Sequence, residues 1–224
     1  MELREYMSIR RAYNLVRQEM DAPRRLTFQE LAVLCRLVNT EGGLKTSEIA
    51  SYQGCLRPTM THRTKHLEQL GLIARVRGDY DRRNVVCTVT RLGREYVREL
   101  CQKTCSGIAA GHSLARTTPE RVCRYIDAMG SLECDAGELV LLGLLVAEER
   151  PCTISHLVDM LGFLQPTVSM SISALEDEGH VRRVDIEGRR AQGVELSESG
   201  AEIAEQIRER ISEIIVRRRS RSAR

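Results

Sequence analysis

Arg57, His62, Arg63 and Lys65 fall within nine consecutive residues, and Asp81, Arg82 and Arg83 follow shortly after. Fixed cations with Thr59 and Thr61 between them offer hydrogen bonds to phosphate oxygens and base edges, not a covalent or acid–base reaction. A second region places Gln165, Thr167, Ser169 and Ser171 on alternate positions and then Arg189 and Arg190. These polar groups could also read base edges, with less charge to hold a phosphate. Cys101 and Cys105 stand at i, i+4, neighbours on one face of a helix, so a thiol redox response could sit there, with His112 and Cys123 further along. Free cysteine is also a routine small core residue. His62 and His66 share the i, i+4 spacing, but Glu68 is the one carboxylate beside them in sequence. With no HExxH, GxSxG, Walker-type or GxGxxG motif, the expectation is a protein that is not an enzyme and needs no cofactor or metal.

Charge sharpens the contrast between the two regions. The chain of 224 residues carries a net charge of +3, so global basicity does not announce nucleic acid. Residues 56–92, however, hold eight Arg or Lys against three acids, a balance of +5. Residues 164–199 hold four Arg against seven acids, a balance of −3. Because phosphate neutralisation supplies much of the affinity for duplex DNA, the first region should bind it more strongly. The terminal run RRRSRSAR adds five arginines, either for nonspecific phosphate contacts or as a solubilising end.

The elements that position these groups follow from periodicity. A 3.6-residue stripe through Leu3, Tyr6, Met7, Ile9, Tyr13, Val16 and Met20 predicts a helix over residues 2–20. A second helix, QELAVLCRLVNTEGG, is followed by a short one, TSEIASYQG, with Thr46 or Ser47 as its cap. A third begins near Leu56, keeps Met60, Thr64 and Leu67 inward and ends at Gly71. Arg57, Thr59, Thr61, His62 and Lys65 then project outward or toward the helix N-terminus. LIARVR and NVVCTVT alternate around GDYDRR as a β-hairpin, and Gly93 opens a helix to about Cys105. This order is the winged helix-turn-helix plan.

The plan occurs twice. Residues 30–76 reappear, shifted by 108, as residues 138–184, with 16 identities in 47 ungapped positions. Unrelated sequence would give about three. The second copy reads GELVLLGLLVAEE, TISHLVDMLG, QPTVSMSISALEDEG, a hairpin of VRRVDIEG and RRAQGVELS, and a long helix from about Ser199 to Val216. Residues 106–118 form a linker or break, and PERVCRYIDAMGSL stands where the first copy has its opening helix. The expected domains are residues 1–107 and 108–224, mainly α with small β-hairpin wings and packed through terminal helices. Eight cysteines lack zinc-ribbon spacing and are expected reduced. No run reaches the roughly 18 apolar residues of a membrane span, and MELREYMSIRRAYNL is too charged for a signal peptide, so a cytoplasmic location is expected.

Residues 30–98, above all LRPTMTHRTKHLEQLGLIARVRGDYDRRNVVCTVTRLGREY, resemble the MarR family of bacterial transcription regulators through the helix ending LE..G, the DRR of the wing and the T.LG that follows. Residues 138–204 match more weakly, through QPTVS, LEDEG and LSESG. The resemblance implies a regulator of double-stranded DNA whose two copies form a pseudo-dimer in one chain, with a chain homodimer of four winged helices as the alternative. It also implies wing arginines entering a minor groove, with Asp81 holding Arg83, and it allows a small-molecule effector. Leu56 and Leu164 depart from the family's capping Ser or Thr. A tandem replication initiator and a protein-interaction module are the rival readings.

Overall fold

The computed structural model describes residues 1–77, 85–108, 114, 117–186 and 192–216. Helix α1 (Leu3–Gln18) buries Tyr6, Ile9, Ala12, Tyr13 and Val16 along one stripe. Helix α2 (Phe28–Asn39) begins at a reciprocal cap. The Glu30 amide donates to Thr27 Oγ1 at 3.2 Å, and the Thr27 amide donates to the Glu30 carboxylate at 2.8 Å. Then come β1 (Leu44–Lys45), α3 (Thr46–Tyr52), α4 (Arg57–Gln69), β2 (Ile73–Arg77), β3 (Val85–Val89) and α5 (Arg91–Ser106). The second half runs α6 (Pro119–Met129), α7 (Ala136–Val146), β4 (Cys152–Thr153), α8 (Ile154–Leu161), α9 (Gln165–Asp177), β5 (Val181–Asp185), β6 (Gln192–Leu196) and α10 (Glu198–Ser212). Two antiparallel sheets result, in the orders β1-β3-β2 and β4-β6-β5. The protein is mainly helical, with a winged helix-turn-helix in each of two regions.

The shift of 108 carries α4 onto α9, β1 onto β4 and β2 onto β5 with the same bounds. Many of the shared residues do the same work twice. Glu68 pairs with Arg75 at 3.1 Å, and Glu176 with Arg183 at 2.8 Å, tying each α4-type helix to its wing. Gly71 and Gly179 hold φ of +70° and +78°, a left-handed turn that an L side chain would strain. The hydroxyl of Thr90 accepts from the Gly93 amide at 3.0 Å and donates to the Gly71 carbonyl at 2.7 Å. That of Ser197 accepts from Gly200 at 3.1 Å and donates to Gly179 at 2.8 Å. At Gly93 and Gly200 the chain approaches so closely that a Cβ would run into the carbonyl oxygen of Leu72 or of His180.

Several local expectations shift. The cap position of α3 is Lys45, whose amide donates to Glu48 at 2.7 Å, and Thr46 instead donates its hydroxyl proton to the Val85 carbonyl at 3.2 Å. α5 starts at Arg91 rather than Gly93, because Thr90 caps it, and α10 ends at Ser212. The strands β1 and β4, two residues each, complete the sheets and lie outside the hairpins expected from alternation.

The opening helices bridge the two halves. α6 packs on α2 and α5 of the first half, while α1 packs on α5 and also on α8 and α10 of the second. On the α1 side, Arg11, Asn14 and Gln18 donate to the carbonyls of Asp159, Leu161 and Gly162 at 2.6, 2.9 and 2.6 Å, satisfying the C-terminal end of α8. On the α6 side, Asn39 donates to Asp127 at 3.0 Å, Tyr52 donates to the Asp127 carbonyl at 3.3 Å, and the Arg36 guanidinium stacks 3.9 Å from the Tyr52 ring. One apolar core runs through both halves. Val97, Leu100, Ile207, Ile211 and Ile214, apolar positions of the terminal helices and the residues after α10, are all buried within the chain.

Candidate nucleic-acid interface

Met60, Thr64 and Leu67 turn inward from α4 at i, i+4, i+7, each fully buried, and Thr64 returns a hydrogen bond to the Met60 carbonyl at 2.9 Å. That anchoring sets the opposite face. Thr59, His62 and Lys65 are exposed there, Arg57 is exposed in the first turn at the helix N-terminus, and Thr61 is half-buried at the margin. Arg57 and Lys65 are thereby set about 12 Å apart along the helix axis, close to the roughly 12 Å width of a B-DNA major groove.

Arg63 is placed differently. Its side chain is 11% exposed, and it donates to Glu133 at 2.6 Å and to Gln53 at 3.2 Å. The guanidinium thus ties α4 to the segment after α6 and does not share the open face. His66 is also engaged: its Nδ1 lies 2.6 Å from Glu30, the residue that closes the α2 cap. Sequence proximity pointed to Glu68, which instead pairs with Arg75.

On α9 the inward set is Val168, Ile172 and Leu175. Gln165 is exposed, whereas Thr167, Ser169 and Ser171 are half-buried. Met170, 73% exposed, stands at the position of His62, and Ser173 at that of Lys65. No side chain of α9 carries positive charge. Neither α4 nor α9 has a side-chain cap: Leu56 and Leu164 occupy the cap positions, 75% and 57% exposed. Pro58 and Pro166 bring no N–H to these first turns, and on α9 the Thr167 amide donates to the Leu164 carbonyl at 3.0 Å. Asp81, Arg82, Arg83, Arg189 and Arg190, the wing residues expected to enter a groove, lie outside the described residues, as does His112.

The two cysteines singled out from their helical spacing differ in burial, Cys101 buried and Cys105 half-buried. Cys105 donates to the Thr117 carbonyl at 3.3 Å, and burial pushes its thiol above the ordinary value. Cys101 instead lies among Cys35 of α2 and Cys123 of α6. The hydrogen bond with Cys123 pushes the Cys101 thiol up, and burial does the same to Cys35. Cys123 is held well below the usual thiol range by the hydrogen bonds that Cys101 and Cys35 give it. Reactive thiols are exposed thiolates, so Cys101 and Cys105 do not have the environment of an oxidant-sensing pair. A cleft of about 220 Å³ lies between α7 and the second sheet, lined by Leu144, Arg150, Cys152, Val194, Glu195 and Leu196. This is below the roughly 300–1,000 Å³ of ordinary small-molecule sites. No described helix is long and apolar enough to cross a membrane.

Comparison with known families agrees with this geometry. Residues 26–85 match the model of the MarR family, and residues 144–183 match that of the bacterial regulatory protein, arsR family. These are regulator domains of the winged helix-turn-helix type in two separate regions. No curated protein matches the chain.

Proposed function

We propose that this chain is a DNA-binding transcription regulator that sets two winged helices on one duplex, with α4 as the stronger reader and α9 as the weaker. The observation that carries this reading is the open surface of α4, with Thr59, His62 and Lys65 turned outward opposite three buried residues and Arg57 exposed in the first turn. Arg57 and Lys65 serve the phosphates, Thr59 and His62 the base edges, and Thr61 the margin. Arg63 acts by holding the helix in place. On the second half, Gln165, Thr167, Ser169 and Ser171 read bases with little phosphate support. The wing arginines Arg82, Arg83, Arg189 and Arg190 are assigned to the adjacent grooves on their sequence pattern, with Asp81 restraining Arg83. With Leu56 and Leu164 unable to cap, the Arg57, Thr59 and Gln165 amides are assigned to phosphate oxygens.

Residues 1–107 and 108–224 supply one reader each, and the chain acts as a pseudo-dimer. The burial of Val97, Leu100, Ile207, Ile211 and Ile214 within one chain, with Ile203 half-buried, supports this over a homodimer of four readers. Selection of duplexes from a random library, followed by hydroxyl-radical footprinting, tests the reading. The expected result is two protected tracts about 34 Å apart, under a protein that stays a single chain in solution. Absence of salt-dependent duplex binding would falsify it. The exposed Met170, with Glu176, Asp177 and Glu178 exposed on the same half, favours one second reading, a protein-docking role for α9. A single protected tract would support that instead.

A further inference from the structure

Three thiols converge where α2, α5 and α6 meet. Cys35, Cys101 and Cys123 come from three different helices, their sulfurs all lie within 4.8 Å of one another, and the residues are 0%, 1% and 6% exposed. Three sulfurs bonded to one ion at about 2.3 Å would lie about 4 Å apart, so closure on an ion needs shifts of less than about 1 Å.

The frame around the trio does not depend on the cysteines. Asn39 donates to Asp127 at 3.0 Å and Arg36 approaches the same carboxylate at 3.8 Å, fixing α2 against α6. The Gly130 backbone comes so close to Ala32 that an added Cβ would lie 2.7 Å from the Ala32 side chain. The donor set therefore stands preorganised, with Cys123 as its most accessible member.

Donor chemistry selects the ligand. Among the described residues no histidine or carboxylate joins the three sulfurs, and the Asn39 side-chain oxygen lies 3.9 Å from Cys123 Sγ. An all-sulfur, three-donor set suits soft cations and leaves hard ones without oxygen ligands. Charge narrows the class further. Three thiolates around a divalent ion leave one net negative charge, and Arg124 acts favourably on the Cys123 thiolate from its own helix. A monovalent ion would leave two negative charges in a buried site, which costs more.

We propose that Cys35, Cys101 and Cys123 form a buried three-thiolate site for a divalent thiophilic metal ion. Binding releases to solvent the protons that the trio still holds and needs no oxidant. The site pins α6 of the second half to α2 and α5 of the first.

The test titrates the reduced full-length chain with Cd²⁺ under anaerobic conditions, following thiolate-to-metal charge-transfer absorption, and counts sulfur ligands by X-ray absorption at cadmium. One ion per chain with three sulfur neighbours is expected. Cys35→Ala, Cys101→Ala and Cys123→Ala should each weaken binding by more than about 100-fold, beyond the usual cost of losing an outer-shell partner. Cys55→Ala and Cys152→Ala should leave it unchanged. Two or fewer sulfur neighbours in the unaltered protein would overturn the site even if a variant failed to fold. Undiminished binding in the three trio variants would overturn it as well.

Discussion

α4 and α9 are built alike and faced differently. Each is thirteen residues long, starts behind an exposed leucine with proline in its first turn, and is anchored by three inward side chains. Each is tied to its wing by the same Glu–Arg pair. Yet the position of Arg57 holds Gln165 in the second copy, that of His62 holds Met170, and that of Lys65 holds Ser173. Shared residues thus sit at turns, caps, ion pairs and core positions, where backbone geometry restricts the choice. Solvent-facing positions such as these have no such restriction, and there the positive charge has been lost. One scaffold can therefore present a phosphate-binding face in one half and a nearly neutral one in the other.

The largest expected effect tests the likeness. Gly93→Ala and Gly200→Ala should each destabilise the fold by about 3 kcal/mol, since a Cβ meets a backbone carbonyl in both. Urea unfolding of the two variants should give similar losses. A large loss in one and none in the other would break the equivalence of the halves.

The next effect tests the difference. Arg57→Gln with Lys65→Ser gives α4 the residues that α9 carries, and should weaken duplex binding by about 10- to 100-fold, roughly 1.4–2.7 kcal/mol. Gln165→Ala with Ser169→Ala should cost less than about tenfold, the lower part of the range for base recognition. Binding titrations on one selected duplex compare them, and equal losses would remove the ranking of the readers.

Smaller still are the caps. Thr90→Ala and Ser197→Ala each remove a hydroxyl that accepts a helix amide and donates to a turn carbonyl. A loss of about 1 kcal/mol in thermal or urea unfolding is expected for each.

The smallest effect separates the two seams between halves. Burial pushes the Asp127 carboxyl above its ordinary range, against the hydrogen bond from Asn39. The folded state then binds that proton more readily than the unfolded chain. Asp127 consequently costs stability at neutral pH, and the cost is relieved as pH falls through the folded-state value. Measured by urea unfolding at several pH values, the stability of wild type relative to Asp127→Asn should rise on acidification. On the α1 side Arg11, Asn14 and Gln18 donate to carbonyls, and Asn14→Ala should show no comparable pH dependence.

What could be read from the chain depended on range. The 3.6-residue stripes of α1 and α10, the inward trio of α4 and the period-two hairpins are local patterns, and the elements formed near the expected bounds. β1 and β4 are two residues long, too short for any alternation to register. The packing of α1 and α6 across the halves depends on pairings between residues 75 to 148 positions apart, as with Arg10 and the Cys134 carbonyl at 3.1 Å. Engagement of Arg63 by Glu133, 70 residues away, and of His66 by Glu30, 36 residues away, is invisible to local spacing for the same reason. For the cysteines, the i, i+4 spacing of Cys101 and Cys105 was legible, but the approach of Cys35 and Cys123 to Cys101 from two other helices was not.

The central claim is that one chain binds duplex DNA through two winged helices with most phosphate neutralisation under the first. It is tested most directly by the dependence of duplex affinity on salt concentration, measured for wild type, the Arg57→Gln/Lys65→Ser variant and the Gln165→Ala/Ser169→Ala variant. The slope of log affinity against log salt should fall by about two in the first variant, at roughly 0.9 for each phosphate no longer neutralised, and stay at the wild-type value in the second. A slope unchanged by removing Arg57 and Lys65, or reduced as much by the changes in α9, would contradict the account.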